Sequence, residues 1–209
     1  MKTNIKTIAK VILVAITIFL TTTISSCSKD DNNPTTTPTP VVYEEENFLN
    51  EYLLTSGLQF RRNISADNYR LIEYLEFSAS QKGKITSVSF KVPATSTLNP
   101  VIITIVDLET GLTIKEISTS SSDYTAGTTK TVAVSPPIEL PQYKRYKLGM
   151  ISKSSYEYRR LDGENIVYPI QAGNIKIWGF SETDINTSLN SNNRSHYYGD
   201  FSFTFQRTE

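Results

Sequence analysis

The chain has 209 residues, of which 21 are basic and 21 are acidic, so its formal net charge is zero. It contains no basic patch and no run of like charges, which argues against a nucleic-acid partner. Its only cysteine is Cys27 and its only histidine is His196. These counts exclude an internal disulfide and argue against a transition-metal site, which needs three or four such ligands.

The first 26 residues are typical of a secretory signal. Three lysines lie in the first ten residues, an apolar stretch follows over residues 8–20, and a short polar run precedes Cys27. A membrane-spanning helix is the alternative, but a span needs roughly 20 apolar residues and this stretch is shorter. We therefore predict a signal peptide over residues 1–26.

Small residues stand directly before the cysteine, in Ile24-Ser25-Ser26-Cys27. This arrangement resembles the lipobox of bacterial lipoproteins, in which cleavage leaves the cysteine first and its sulfur takes a diacylglyceryl group. The resemblance implies that the membrane is a partner through a lipid anchor at Cys27. The alternative is an ordinary signal peptide with a chance cysteine. Acyl chains hold a protein firmly because each buried methylene contributes roughly 0.8 kcal/mol.

Residues 27–43 are predicted to be a disordered tether. A charged tract, Ser-Lys-Asp-Asp-Asn-Asn, is followed by threonine and proline, which cannot build a core. The charged tract resembles the one after the lipidated cysteine in surface lipoproteins of Bacteroidetes. The resemblance implies an outer-membrane protein at the cell surface, and a solvated spacer is the alternative. Residues 1–26 carry three lysines and no acid, so the remainder has 18 basic and 21 acidic side chains, a net charge of −3.

Residues 44–209 are predicted to form one domain. They are rich in Thr, Ser, Val, Ile and Tyr, which favours strands over helices. One short helix is predicted before Gly57, with the acids of residues 44–46 at its start. Apolar side chains recur there at helical spacing at Phe48, Leu49, Tyr52 and Leu53.

Beyond Gly57, apolar and polar residues alternate as in β-strands. The predicted strands are residues 71–77, 85–92, 101–106, 112–117, 130–134, 146–152, 174–180 and 201–206. The first two are predicted to pair as a hairpin, and residues 101–106, apolar on both faces, to form a central strand. Three prolines place residues 136–141 at a sheet edge. Trp178, beside Ile177, is expected in the core.

Eight or nine short strands with turns at this spacing predict an all-β fold. The expected architecture is a single antiparallel β-sandwich of jelly-roll type, with a short helix near its N-terminus and a disordered tether before it. A barrel is the alternative.

The order of five motifs carries a further resemblance. They are Gly-Lys-Ile-Thr at 83–86, Val-Ile-Ile-Thr-Ile-Val-Asp with a Glu-Thr-Gly turn within 101–111, Pro-Pro-Ile-Glu-Leu at 136–140, Tyr-Lys-Leu-Gly at 146–149 and Tyr-Tyr-Gly-Asp-Phe-Ser-Phe-Thr-Phe at 197–205. This order resembles a bacterial β-sandwich domain of unknown function, found in secreted proteins and beside carbohydrate-active enzyme modules. Residues 158–163 and 168–175 resemble a subgroup of Bacteroidetes lipoproteins. The resemblance covers about residues 45–209 and implies a surface location and a tie to glycans, without catalytic residues.

No catalytic residue is predicted. His196 lies near Asp200, but the Gly-x-Ser-x-Gly pattern of a nucleophile elbow is absent from the sequence. Two pairs of acids lie close in sequence, Asp107 with Glu109 and Asp162 with Glu164. Such pairs can serve glycoside hydrolysis or hold Ca²⁺, but they more often cap turns. We expect no enzyme and no cofactor, with structural calcium as the alternative.

Aromatic residues are numerous, with twelve tyrosines, nine phenylalanines and one tryptophan. The candidate ligand-binding residues lie in a predicted loop over 155–170 and are Tyr156, Tyr158, Arg159, Arg160, Asp162 and Tyr168. Flat amphipathic rings stack on sugars, while arginine and aspartate make directional hydrogen bonds to hydroxyls. The alternative is a local salt bridge among Arg159, Arg160 and Asp162 that orders the loop.

These observations favour a non-catalytic surface lipoprotein that binds a glycan or another extracellular ligand. One alternative is a structural or protein-interaction module, either an accessory subunit of an envelope complex or an adhesin, since exposed strand edges can pair with a partner's strand. A hydrolase that uses Asp162 or Glu164 is a third hypothesis.

Overall fold

The computed structural model describes residues 41–65, 71–94, 100–184, 187–189 and 194–209. The predicted signal peptide, Cys27 and the tether up to residue 40 lie outside these residues. Val42–Glu209 form one compact unit.

One helix and fourteen strands are present in the described residues. The helix is α1 (Leu49–Thr55). The strands are β1 (Glu45–Asn47), β2 (Leu58–Ser65), β3 (Leu71–Ala79), β4 (Gly83–Lys91), β5 (Val101–Asp107), β6 (Thr113–Thr119), β7 (Thr129–Leu140), β8 (Arg145–Ser152), β9 (Ser154–Arg160), β10 (Ile170–Ala172), β11 (Ile175–Asp184), β12 (Thr187–Leu189), β13 (His196–Tyr198) and β14 (Phe201–Arg207).

These strands form three antiparallel sheets. The four-stranded sheet has the order β1-β14-β4-β7. The seven-stranded sheet has the order β10-β11-β3-β8-β5-β6, with β12 paired to β11. The three-stranded sheet has the order β13-β9-β2. The predicted all-β, sandwich-like fold is therefore confirmed.

Aromatic packing fills the space between the two larger sheets. Alternate positions of β14 carry Phe201, Phe203 and Phe205, and all three side chains are buried, as the alternation predicts. The Phe203 ring centre lies 4.7 Å from that of Phe77 on β3 and 4.9 Å from that of Phe48, which directly precedes α1. One side chain thus joins the four-stranded sheet, the seven-stranded sheet and the helix.

The predicted hairpin of residues 71–77 with 85–92 is wrong. Strand β3 pairs with β8 and β11, whereas β4 pairs with β7 and β14, so the two strands lie in different sheets. The short connection between them crosses from one sheet to the other. At its end, Gly83 makes room for a neighbour, because a Cβ there would lie only 2.3 Å from the Phe205 ring. A hairpin and such a crossing both show alternating strands joined by a short polar turn. The sequence pattern therefore could not distinguish the crossing from the predicted hairpin.

Two predicted strand positions are confirmed. Strand β5 is an inner strand, flanked by β6 and β8. The proline-containing segment belongs to β7, which lies at an edge of the four-stranded sheet. The pairing of β4 with β7 is interrupted between Ile85 and Ser87, and Pro136 and Pro137 fall within that interruption. Prolines are accommodated there because they lack the N–H that a continuous ladder requires.

The predicted helix is also confirmed, although its expected acidic start is not. Glu45 and Glu46 belong to β1, which pairs with β14 and precedes α1. Pairing with β14 gives the backbone groups of these two residues hydrogen-bond partners. The first turn of a helix would leave their N–H groups without such partners.

Trp178 does not lie in the core, contrary to expectation. It is half-buried on β11, where its indole N–H donates a hydrogen bond to the Ser78 hydroxyl at 2.9 Å. The Lys176 ammonium and the Arg145 guanidinium lie 4.5 and 4.8 Å from its ring centre. These cations stabilise the ring through its π face, so the indole does not need an apolar pocket.

The segment predicted as a loop over residues 155–170 begins as a strand. Strand β9 is the centre of the three-stranded sheet, and its partners β2 and β13 were also not predicted. These strands account for much of the difference between the eight or nine expected and the fourteen described. Among the described residues, no helix combines the length and apolar character needed to cross a bilayer.

The packing around Phe203 predicts a large effect of truncation. Phe203→Ala should lower the free energy of unfolding by about 3–5 kcal/mol, because it leaves a cavity between the two sheets. Phe60→Ala is the matched control, since Phe60 is 57% exposed and should change stability by less than about 1 kcal/mol. Urea denaturation measures both variants. Equal losses would contradict the placement of Phe203 in the core.

Candidate functional site

The predicted site residues are divided between the two faces of β9. Tyr156, Tyr158 and Arg160 alternate with Glu157 and Arg159 along the strand. Because successive side chains of a strand point to opposite faces, the four candidates on β9 do not all project from one face of the sheet.

An exposed aromatic side chain lies on one face. Phe60 of β2 is paired across the ladder with Tyr158, and its ring centre lies 6.3 Å from that of Tyr158 and 5.9 Å from that of Tyr156. Both contacts are edge-on. Phe60 is itself 57% exposed, so the tyrosines support its ring while part of it remains open to solvent.

The two tyrosine hydroxyls already have partners within the protein. Tyr158 donates to Asp200 Oδ2 at 3.0 Å, and Tyr156 donates to the Val92 carbonyl at 3.2 Å. Burial, and after it the charge of Asp200, raises the pKa of Tyr158 above its ordinary value. These contacts give Tyr156 and Tyr158 a supporting role beneath Phe60.

Arg160 and Asp162 form a structural ion pair. Arg160 Nε donates to Asp162 Oδ1 at 3.0 Å, its Nη2 contacts Oδ2, and its Nη1 donates to the Ser56 carbonyl at 3.0 Å. Asp162 Oδ1 also accepts the backbone N–H of Glu164 at 3.0 Å. Arg160 lowers the pKa of Asp162. This set of contacts ties the turn after β9 to the end of α1. It contains Arg160 and Asp162 of the local salt bridge that was considered as an alternative, but not Arg159.

Arg159 lies on the opposite face and pairs with Glu157. Its Nη2 is 3.2 Å from Glu157 Oε1, while Arg62 Nε of β2 is 2.5 Å from Glu157 Oε2. Glu157 is buried, and the two guanidinium groups compensate its charge.

Tyr168 is not part of this surface. Its hydroxyl is 2.7 Å from that of Tyr52 on α1, and burial raises the pKa of Tyr168 to about 12. Tyr168 therefore contacts α1 and has a structural role there.

A half-open depression of about 160 Å³ lies between β2 and β9. Its lining residues are Gln59, Phe60, Arg61, Arg159, Arg160 and Leu161. Three of them are arginines, none is acidic, and Leu161 is 75% exposed. We define these six residues as the arginine depression. It brings together two of the six predicted residues, Arg159 and Arg160, whereas the other four, Tyr156, Tyr158, Asp162 and Tyr168, do not line it.

The residues of β2 were missed because residues 58–65 show little apolar alternation. Five consecutive side chains of β2 are exposed, so the strand is polar along most of its length. The one available signal was the apolar Phe60 directly before Arg61-Arg62, which matches the Tyr-Arg-Arg sequence of β9.

A buried polar cluster lies under the three-stranded sheet. Glu73 of β3 is fully buried, and neither of its carboxyl oxygens has a hydrogen-bond partner among the described residues; the same is true of the Ser155 and Tyr197 hydroxyls. A Cβ on Gly199 would lie 3.2 Å from Glu73 Oε2. Burial raises the pKa of Glu73 to about 8. Glu73 is therefore protonated below about pH 8.

Three of the four acids considered for hydrolysis or calcium, Asp107, Glu109 and Asp162, are in ion pairs with a lysine or an arginine. Asp107 and Glu109 both pair with Lys144, at 2.8 and 3.2 Å, and Lys144 lowers the pKa of Asp107. Among the described residues, no group of three or more His, Cys, Asp or Glu side chains is arranged to hold a metal ion.

His196 lies on β13 and is half-buried. Its Nε2 is 3.2 Å from Arg194 Nη1, and burial, followed by the charge of Arg194, lowers the pKa of His196. Asp200 is bonded to Tyr158, as described above.

No protein-family model matches the chain, and a comparison with curated proteins finds no similar sequence.

The burial of Glu73 predicts a pH-dependent stability. Its pKa of about 8 in the folded state exceeds the ordinary 4.5, so the folded protein retains a proton that the unfolded chain releases between these values. The contribution of Glu73 to the free energy of unfolding is therefore fully present below pH 4.5 and falls as the pH rises to 8, by up to about 1.4 kcal/mol per pH unit. Glu73→Gln should be more stable than the unsubstituted protein by about 4 kcal/mol at pH 8, with little difference at pH 4.5.

Denaturant unfolding from pH 4.5 to 8.5 measures this difference. Glu116→Gln is the control, because Glu116 is exposed on the edge strand β6. Asp200, whose pKa burial also raises, contributes equally to all three proteins. Parallel pH profiles for the unsubstituted protein and Glu73→Gln would contradict the prediction.

Proposed function

We propose that this chain is a non-catalytic, lipid-anchored protein of the outer-membrane surface that binds a glycan at the arginine depression. The observation that carries the proposal is the exposed ring of Phe60, which Tyr156 and Tyr158 contact edge-on and which lines one depression together with Arg61 and Arg159. An apolar ring face next to directional hydrogen-bond donors is the combination that sugars require.

The supports of this surface are rigid. Phe60 is held by ring contacts to β9, and Tyr156 and Tyr158 by hydrogen bonds to Val92 and Asp200. A ring already fixed in one orientation loses little conformational entropy on binding, which favours recognition of a weakly interacting ligand such as a sugar.

The proposed location rests on the sequence around Cys27. The signal-like residues 1–26, the lipobox-like Ile-Ser-Ser-Cys and the charged tract after it support a lipid anchor at the cell surface. The tether of residues 27–43 would then present the arginine depression away from the membrane.

A glycan array tests the binding proposal. The full chain, purified in non-ionic detergent, should bind one polysaccharide class reproducibly. Phe60→Ala should weaken that binding about tenfold, because it removes the exposed ring without disturbing the core. Tyr143→Ala is the matched control, since Tyr143 is an exposed aromatic residue outside the depression. Equal binding by both variants would reject Phe60 as part of the site. Arrays run with and without calcium test the structural-calcium alternative.

The anchor is tested separately at Cys27. In the native host, the unsubstituted protein should partition into the detergent phase of a membrane extract, and Cys27→Ala should partition into the aqueous phase because it has no acceptor for the lipid. Ser28→Ala, one residue away, should behave as the unsubstituted protein. Cleavage by protease added to intact cells reports the outer face. Identical partitioning of the first two proteins would reject the lipid anchor.

A protein-interaction module is the second candidate. In the described part of the chain, no strand pairs with the outer edge of β2, which is eight residues long and contains no proline. Such an edge can accept a partner strand. Its two arginines and the bulge near Phe60 oppose this use, because charge and irregularity are common protections of an edge. A folded chain that binds no glycan would favour this second function.

A further inference from the structure

The charges around the arginine depression do not balance. Two arginine pairs lie on the adjacent strands β2 and β9, Arg61-Arg62 and Arg159-Arg160, although the strand register places Gln59 rather than an arginine opposite Arg159. Glu157 is shared between Arg62 and Arg159, so one carboxylate serves two guanidinium groups.

Arg160 is fully engaged, whereas Arg61 is not. Asp162 and the Ser56 carbonyl occupy the guanidinium of Arg160, and Glu164 adds a further negative charge near it. Arg61 lines the depression and has no carboxylate within ion-pair distance among the described residues. The chain without residues 1–26 is acidic, so this positive surface is a local feature rather than a consequence of overall charge.

We infer that the arginine depression binds an anionic saccharide, one whose sugar residues carry a carboxylate or a sulfate. This inference rests on the glycan-binding function proposed above and specifies its ligand class. Arg61 and the free donors of Arg159 bind the oxyanion, because the guanidinium fork matches the spacing of two oxyanion oxygens. Phe60 and Leu161 contact the apolar face of the same sugar residue.

The size of the depression favours a polymer over a free small molecule. Its volume of about 160 Å³ is below the roughly 300–1,000 Å³ of pockets that enclose a drug-sized ligand. It is also open on one side, so it can hold one sugar residue while the chain of sugars continues past it.

The test measures affinity of the full chain in non-ionic detergent for four polymers: polygalacturonate, dextran sulfate, neutral dextran and single-stranded DNA. At least one anionic polysaccharide should bind, neutral dextran should not, and the tighter of the two anionic polysaccharides identifies the oxyanion. Affinity should fall as salt is added, since the depression is exposed.

The decisive variant is Arg61→Gln, which should weaken binding of the anionic polysaccharide about tenfold by removing a charge-assisted contact. Arg207→Gln on β14 loses the same charge outside the depression and should change affinity by less than about twofold. Circular dichroism melting confirms that both variants are folded.

Each other outcome overturns a specific statement. Equal weakening by Arg61→Gln and Arg207→Gln would reject the depression as the site, and DNA binding as tight as that of the polysaccharide would reject the saccharide class. Binding of neutral glycans that depends on Phe60 but not on Arg61 would reject the anionic ligand and leave the glycan-binding function intact. Binding to no saccharide on the array or in solution would reject both.

Discussion

The contact of Phe203 with Phe77 and Phe48 is the interaction on which this fold depends. It joins β14 of one sheet to β3 of the other and also fixes the entry to α1. The chain has a single cysteine and therefore no internal disulfide to link its sheets, so their cohesion depends on noncovalent contacts such as this packing. The helix is fixed at its start by Phe48, and the Ser56 carbonyl at its end accepts a hydrogen bond from Arg160. The position of the arginine depression therefore follows from the aromatic core.

The three-stranded sheet combines a firm support with polar surfaces. Tyr197 on β13 is fully buried and lies 5.3 Å, ring centre to ring centre, from Tyr52 and 5.0 Å from Phe180 on β11. Burial, and after it Glu73, raises the pKa of Tyr197 well above its ordinary value, so its hydroxyl stays neutral. These ring contacts fix β13 against the core. Strand β9 pairs with β13, and β2 pairs with the other side of β9. A rigid support of this kind is what a binding surface on short strands requires.

Simple alternation allowed parts of this structure to be predicted. The alternating phenylalanines of β14 and the apolar run of β5 are each compatible with only one arrangement of buried side chains. The prolines of β7 are compatible only with a sheet edge. Strand β9 could not be found in this way, because its buried Glu157 is neutralised by Arg62 from a strand 95 residues away in sequence. The half-buried position of the Trp178 indole likewise depends on Arg145, which comes from another strand. Where burial is made possible by a distant charge, local periodicity contains no sign of it.

The edge prolines have a consequence for neighbouring copies of the protein. Unpaired edge strands of neighbouring molecules can join into ribbons. A strand approaching β7 finds no amide proton at Pro136 or Pro137, and at the other side of the same sheet β1 offers only three residues. A second copy could therefore extend the four-stranded sheet only through the part of β7 before its prolines or through the three residues of β1.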